Sequence, residues 1–165
     1  MQTRLSRTAD SQAIRAVHLR AFPTGAEAGL VDQLVADGDA VVSVVAEDDG
    51  IIGHVLLSRM SVIADDRTLD ALGLGPVAVV PERQGEGIGS ALVEAAVREA
   101  KSAGAQMLFL LGEPGFYGRF GFTATAAEAF ESPYAGRYFQ ALQLIDLPPV
   151  CRGIAKYAPA FDDLG

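Results

Sequence analysis

The feature that most constrains this chain lies between Leu74 and Ala103, where a strand-like run turns through glycines into a helix-like one. Leu74-Gly75-Pro76-Val77-Ala78-Val79-Val80 is apolar, and Pro81-Glu82-Arg83 leads to a turn with Gly85, Gly87 and Gly89 at alternate positions. From Ile88 the apolar residues recur at helical spacing: Leu92, Val93, Ala96, Val97 and Ala100 share a face, and Glu94, Arg98 and Glu99 fall on the other. Such a turn leaves unpaired backbone N–H groups at the positive end of the helix dipole, which suits a phosphate or pyrophosphate. Glycines at a strand-to-helix turn also serve close packing alone.

Spacing separates the familiar glycine turns. A P-loop needs Gly-Lys-Ser/Thr at its end, and the chain contains no Gly-Lys pair. The dinucleotide fingerprint needs Gly-x-Gly-x-x-Gly on an early strand of a parallel sheet. Here Gly85-x-Gly87 is followed at the third position by Ser90, and a hairpin precedes it.

The other elements frame that turn. Thr3 to Thr8 reads as a first strand, and Asp10 as the cap of a helix with Ile14, Val17 and Ala21 on one face, ended by Phe22-Pro23. Glu27 to Asp37 reads as a second helix stopped by Gly38. Ala40 to Glu47 and Ile51 to Ile63 flank the turn residues Asp48-Asp49-Gly50 as a hairpin, and Leu69 to Val80 continues as a third antiparallel strand. After the helix Ile88 to Ala103, Gln106 to Leu111 is continuously apolar, as expected of a buried strand running parallel to Leu74–Val80. Residues 123 to 136 read as a loop or short helix, Tyr138 to Ile145 as a strand, and Gly153 to Tyr157 as a last short one.

Gln84-x-x-Gly87-x-Gly89, after Pro76-Val77-Ala78-Val79 and before a long amphipathic helix, resembles the pyrophosphate-binding motif of the GNAT superfamily of acyl-CoA-dependent N-acetyltransferases. The downstream Phe116-Tyr117 with Gly121-Phe122 extends the resemblance over most of the chain. It implies an α/β (α+β) fold with a mixed, mostly antiparallel central sheet and helices on both faces, in a single domain spanning 1–165. It also implies that the amides of Gln84, Gly85, Glu86, Gly87, Ile88, Gly89 and Ser90 face the pyrophosphate of acetyl-CoA, the acyl donor. Val77, Ala78 and Val79 would offer main-chain bonds to the pantetheine arm and an N–H to the oxyanion. Arg83 stands beside the turn, either as a phosphate ligand or as a solvated side chain, and Glu86 is expected to turn outward.

Direct transfer of an acetyl group to a primary amine needs a neutral amine, a stabilised oxyanion and help for the departing thiolate. The resemblance assigns the last role to Tyr117. A phenol near pKa ~10 facing a thiol near ~8.5 makes complete proton transfer uphill by about 2 kcal/mol, so hydrogen bonding to the thiolate comes first. Acting as a general acid would require a lowered tyrosine pKa or a raised thiol pKa. For the base, Glu27, Glu82, Glu113 and His54 have the right chemistry. Glu82 crowds the cofactor turn. Glu27 begins a helix, where carboxylates also gather to cap. His54 alternates with Ile52 and Leu56 on a strand, either facing the cleft or as a satisfied core residue.

Half of the residues are hydrophobic and 21% are charged, the balance of a globular chain. A net charge of −8 argues against a nucleic-acid surface and suits a cationic acceptor such as a polyamine, an aminoglycoside or a basic peptide terminus. The single Cys151 cannot form an internal disulfide, and no apolar run reaches the roughly 18 residues of a membrane span, so a cytoplasmic location without membrane contact is expected. No His, Cys, Asp or Glu cluster has metal-ligand spacing, so no metal is expected. The apolar content is compatible with a homodimer. Two rival readings remain at this level: a catalytically silent acyl-CoA sensor or partner module, and a structural interaction protein.

Overall fold

The computed structural model describes residues 1–164. In chain order its strands are β1 (Gln2–Leu5), β2 (Ala40–Glu47), β3 (Ile51–Ala64), β4 (Arg67–Leu69), β5 (Ala71–Val79), β6 (Met107–Leu111), β7 (Phe130–Glu131), β8 (Phe139–Gln143) and β9 (Gly153–Tyr157). The helices are α1 (Ser11–Ala21), α2 (Ala26–Ala36), α3 (Ile88–Ser102) and the single turns α4 (Pro114–Tyr117) and α5 (Ala124–Ala127).

The long strand β3 is the spine. Its first half pairs antiparallel with β2 on one side and β5 on the other, and its second half pairs with β4 and β9. The main path runs β1-β2-β3-β5-β6-β8, in which only β5 and β6 are parallel. The β2–β3 hairpin turns where expected, with Asp49 at φ 52° and Gly50 at φ 108°. Leu69–Val80 is not one strand: Asp70 separates β4 from β5, and its N–H donates to Gln106 Oε1 at 2.8 Å. The segment 123–136 contains both α5 and β7, and β8 is shorter than Tyr138–Ile145.

Helices cover both faces. The buried stripe of α3, including Ile88, Leu92, Val93 and Ala96, lies against β2, β3 and β5. A Cβ on Gly53 would come within 2.9 Å of Leu92 Cδ1, so the absent side chain lets this helix seat on β3. From α1 and α2, Ile14, Leu30, Val31 and Leu34 form a separate cluster with Val45 and Leu56. A third cluster, with Met60, Val62, Phe109, Phe130 and Phe139, fills the far half of the sheet.

Two further expectations are corrected. Asp10 does not cap α1 with its side chain; its carboxylate accepts from Arg4 at 2.8 Å and from the Arg7 N–H at 2.7 Å. Those donors hold the Asp10 pKa at about 2, the Arg4 bond contributing most. The parallel pairing of β6 is confined to Ala71–Gly73 and does not reach Leu74–Val80. Beyond it Gly75 takes φ 136° and Pro76 brings no N–H, so the ladder breaks and the two strands part. The second half of β5 therefore has a neighbour on the β3 side only.

Candidate active site

The parting of β5 from β6 ends at the glycine turn. Gly85 and Gly87 both have φ 82°, a conformation that disfavours side chains, and Gly87 is the N-cap of α3. The Gln84 N–H is spent on Pro81 O at 3.3 Å, and the first backbone bond into the helix runs from Ala91 N–H to Gly87 O at 3.1 Å. Between them, the N–H groups from Gly85 to Ser90 are free of backbone partners among the described residues, as a helix start requires. No side chain caps this end of α3. The run of free amides therefore begins at Gly85, and Gln84 beside it lines the same hollow.

A cavity of about 350 Å³ opens over these amides, lined by Val79, Arg83, Gln84, Gly87, Ser90 and Arg119 among others. Gly89 is helical, and a Cβ there would meet only Phe116 Cζ at 3.8 Å, so packing does not demand glycine at this position. Its bareness keeps the cavity floor open.

The edge of β5 faces the same gap. The bond from Val80 N–H to Ile52 O, with antiparallel alternation, puts Ala78 in the pairs bonded to β3 and turns the N–H and C=O groups of Val77 and Val79 the other way. Of these, the Val79 carbonyl accepts from Gln84 Nε2 at 2.9 Å. The glutamine side chain thus fixes the turn to the strand, a task that its place in a motif did not reveal.

Charge at the cradle is partly balanced. Arg83 donates to Asp48 at 2.9 Å and to both oxygens of Glu86 at 3.1 Å, so Glu86 is turned onto an arginine rather than over the amides. These bonds lower the Asp48 pKa and raise that of Arg83. The cation that sequence reasoning missed is Arg119. Its guanidinium lies 4.8 Å from the Phe116 ring centroid and donates to Ser90 Oγ at 2.9 Å, on the cavity wall. The aromatic cluster around it was a visible cue, but only folding brings residue 119 to residue 90.

Tyr117 ends α4 and packs edge-on to Phe116, with centroids 4.8 Å apart, and to Phe122 at 6.1 Å. Burial raises its pKa. That direction opposes full proton donation to a thiolate and favours a retained O–H that hydrogen-bonds.

The base candidates divide. Glu82 is engaged by Arg20, which also pins the end of α1 to the turn after β5. Glu113 lies exposed before α4. Glu27 sits in the first turn of α2, yet its carboxylate makes no capping bond there and Oε2 is buried without a partner. His54 is not open to the glycine-turn cavity. It is fully buried, with Nδ1 2.8 Å from His18 Nε2 and Nε2 2.8 Å from Ser43 Oγ. Desolvation, then the neighbouring His18, depresses its pKa to about 3. Among the described residues no group of three His, Cys, Asp or Glu side chains could hold a metal ion, and no helix is long and apolar enough to cross a membrane.

A mostly antiparallel sheet that parts at one strand, with a glycine cradle at the mouth of the gap, defines an acyltransferase of the N-acetyltransferase class. Residues 2–125 match the family model described as the acetyltransferase (GNAT) domain. Two Escherichia coli K12 proteins are similar: the uncharacterized N-acetyltransferase YjhQ, 35% identical over 76% of this chain and 71% of its own, and YhbS, 33% identical over 83% of each. The crystal structure of Escherichia coli YhbS in complex with CoA matches with a TM-score of 0.89 at 30% identity, over 99% of this chain and 93% of that one. A GNAT acetyltransferase from Brucella melitensis in complex with acetyl-CoA matches with a TM-score of 0.78 at 35% identity, over 98% of this chain and 97% of that one. The chain belongs to the GNAT acetyltransferase family.

Proposed function

We propose that this N-acetyltransferase takes acetyl-CoA as donor and moves the acetyl group directly to a primary amine. The observation that carries the reading is the continuity of one surface: the edge of β5 at Val77 and Val79, which has no strand beside it, leads to the free amides of Gly85–Ser90. An extended pantetheine arm adds to a strand edge as a peptide would, and the pyrophosphate then meets the start of α3. Arg119 supplies the positive charge and Gly89 the room. A β5 main-chain N–H polarises the thioester carbonyl, and Tyr117 hydrogen-bonds the departing sulfur. The acceptor approaches from the α1–α2 turn, where Glu27 carries an unpaired buried oxygen. With a net charge of −8, cationic amines are favoured.

The test is calorimetric binding of CoA followed by acetyl-CoA consumption with spermidine, an aminoglycoside and a peptide with a basic N-terminus. CoA binding and turnover on at least one amine are expected, with Tyr117→Phe lowering kcat more than it weakens acetyl-CoA binding. CoA binding without turnover on any amine would favour a sensor. Unchanged kcat in Tyr117→Phe would remove the tyrosine from the mechanism.

A further inference from the structure

Gln140, on β8, is 1% exposed, yet its neighbours on the sheet are apolar. It stands opposite Leu110 of β6, and the next pair along, Leu108 and Leu142, packs with Leu110 in the cluster beneath α3. A leucine or methionine would fill such a place without polar cost, since a buried amide is destabilising unless it is bonded. The reason for a glutamine must lie in what its amide holds.

Gln140 Nε2 donates to the Gly112 carbonyl at 2.9 Å and reaches the Tyr138 carbonyl at 3.5 Å. Both partners are oxygens, so the amide has one orientation: turned over, it would bring its own oxygen against two others. In that orientation Oε1 is buried with no partner among the described residues. The Tyr138 carbonyl also accepts from the Gly112 N–H at 3.0 Å, the last rung between β6 and β8. Rung and side chain together clamp the N–H and the C=O of Gly112.

Gly112 is where the chain leaves the sheet for α4. Its carbonyl belongs to the peptide group shared with Glu113, and the Glu113 carbonyl accepts in turn from the Phe116 N–H at 3.1 Å and the Tyr117 N–H at 3.0 Å. The direction of one peptide group therefore sets the direction of α4. Tyr117 closes the loop, because its ring lies over Gly112, where a Cβ would come 2.3 Å from Cε2. Phe116 and Phe122 hold the same ring edge-on. A rotation of the Gly112–Glu113 peptide would move the backbone that carries Tyr117 and the surface its ring rests on.

We propose that Gln140 is a positioning residue for acetyl transfer: by holding the Gly112 carbonyl it fixes the departure of α4 and so the place of the Tyr117 hydroxyl beside the leaving sulfur. The inference rests on the N-acetyltransferase reading above. The bare Oε1 is what the fold tolerates to keep Nε2 on that carbonyl. Gln140 is absent from the lining of the glycine-turn cavity, so its loss bears on turnover and not on the binding of CoA. A reacting group displaced by ~1 Å lowers turnover by up to about a hundred-fold.

Gln140→Met keeps an unbranched side chain of similar length while removing the Nε2 donor and the orphaned oxygen together. With the most active of the three amines above, kcat should fall by about ten-fold or more, while the KM for acetyl-CoA and the calorimetric affinity for CoA stay at wild-type values. The double variant separates positioning from general disruption. In a Tyr117→Phe background there is no hydroxyl to place, so adding Gln140→Met should lower kcat by about two-fold or less. An equal loss in both backgrounds, or wild-type kcat in Gln140→Met, would overturn the proposal and leave the acetyltransferase reading standing. Unchanged kcat in Tyr117→Phe alone overturns the tyrosine's role and this proposal with it, and a wild-type protein that acetylates none of the amines overturns both readings. Hydrogen exchange in the wild type decides independently of variant folding: the side-chain amide protons of Gln140 should exchange roughly a hundred-fold more slowly than those of the exposed Gln12, and equal rates would overturn the clamp.

Discussion

Gly112→Ala isolates the placement of Tyr117 from the binding of the donor. A Cβ on Gly112 would lie 2.3 Å from Tyr117 Cε2 and 2.6 Å from Cδ2, more than 1 Å inside ordinary contact at the nearer atom. The backbone at this residue cannot easily yield, because its N–H donates to Tyr138 O at 3.0 Å and its carbonyl accepts from Gln140 Nε2 at 2.9 Å. The ring, wedged between Phe116 and Phe122, must therefore move by about 1 Å. Overpacking of this kind costs about 1–3 kcal/mol, and a shift of ~1 Å in a positioned group lowers turnover by up to about a hundred-fold. Gly112 is absent from the lining of the glycine-turn cavity, so CoA affinity should hold. Thermal melting, CoA calorimetry and kcat on the best amine measure the three quantities in one preparation. A Gly112→Ala protein that melts and turns over like the wild type would refute the claim that this glycine exists to seat the tyrosine.

Two further outcomes are expected. Arg119→Gln should weaken CoA binding by roughly five- to ten-fold, flatten its salt dependence and leave the melting temperature unchanged, because an exposed charged donor contributes about 1 kcal/mol; equal affinity at low and high salt in both proteins would remove Arg119 from the phosphate site. For the histidine pair, folded pKa values of about 4 and about 3 lie below the ordinary 6.5, so the unfolded chain takes up protons first as the pH falls. The stabilisation is complete above pH ~6.5 and is lost on acidification, by about 2 kcal/mol per histidine between pH 7.5 and 5, a window above the range of ordinary carboxylates. Urea unfolding across that window checks it, and stability that stays level or rises toward pH 5 would contradict the buried neutral pair.

Local pattern was legible wherever the physics is local. The hairpin at Asp48–Gly50, the amphipathic period of α3 and the turn at Gly85–Gly89 depend on neighbours within a few residues, and all three stand in the structure. The limits of elements were less legible. Asp10 carries a capping residue's side chain, yet a guanidinium from β1 captures it, since a charged bidentate partner outcompetes a helix N–H. Gln106–Leu111 read correctly as a buried strand, but how far it would stay beside β5 depended on Gly75 and Pro76 breaking the ladder, a pairing property no single run of residues encodes.

By itself, then, the sequence determined the family: a glycine spacing that suits a pyrophosphate, set between an apolar strand and an amphipathic helix, with an aromatic cluster after a buried strand. Tertiary structure decided what each of those features works with. It brought Arg119 to Ser90, gave Gln84 to the Val79 carbonyl, turned Glu86 onto Arg83 and joined His18 to His54 across two elements. The reason is one of range. Backbone conformation and amphipathic period are set by residues within a turn of each other, whereas ion pairs, orphaned atoms and desolvated rings depend on side chains tens of residues apart, which only the assembled sheet brings within a few ångströms.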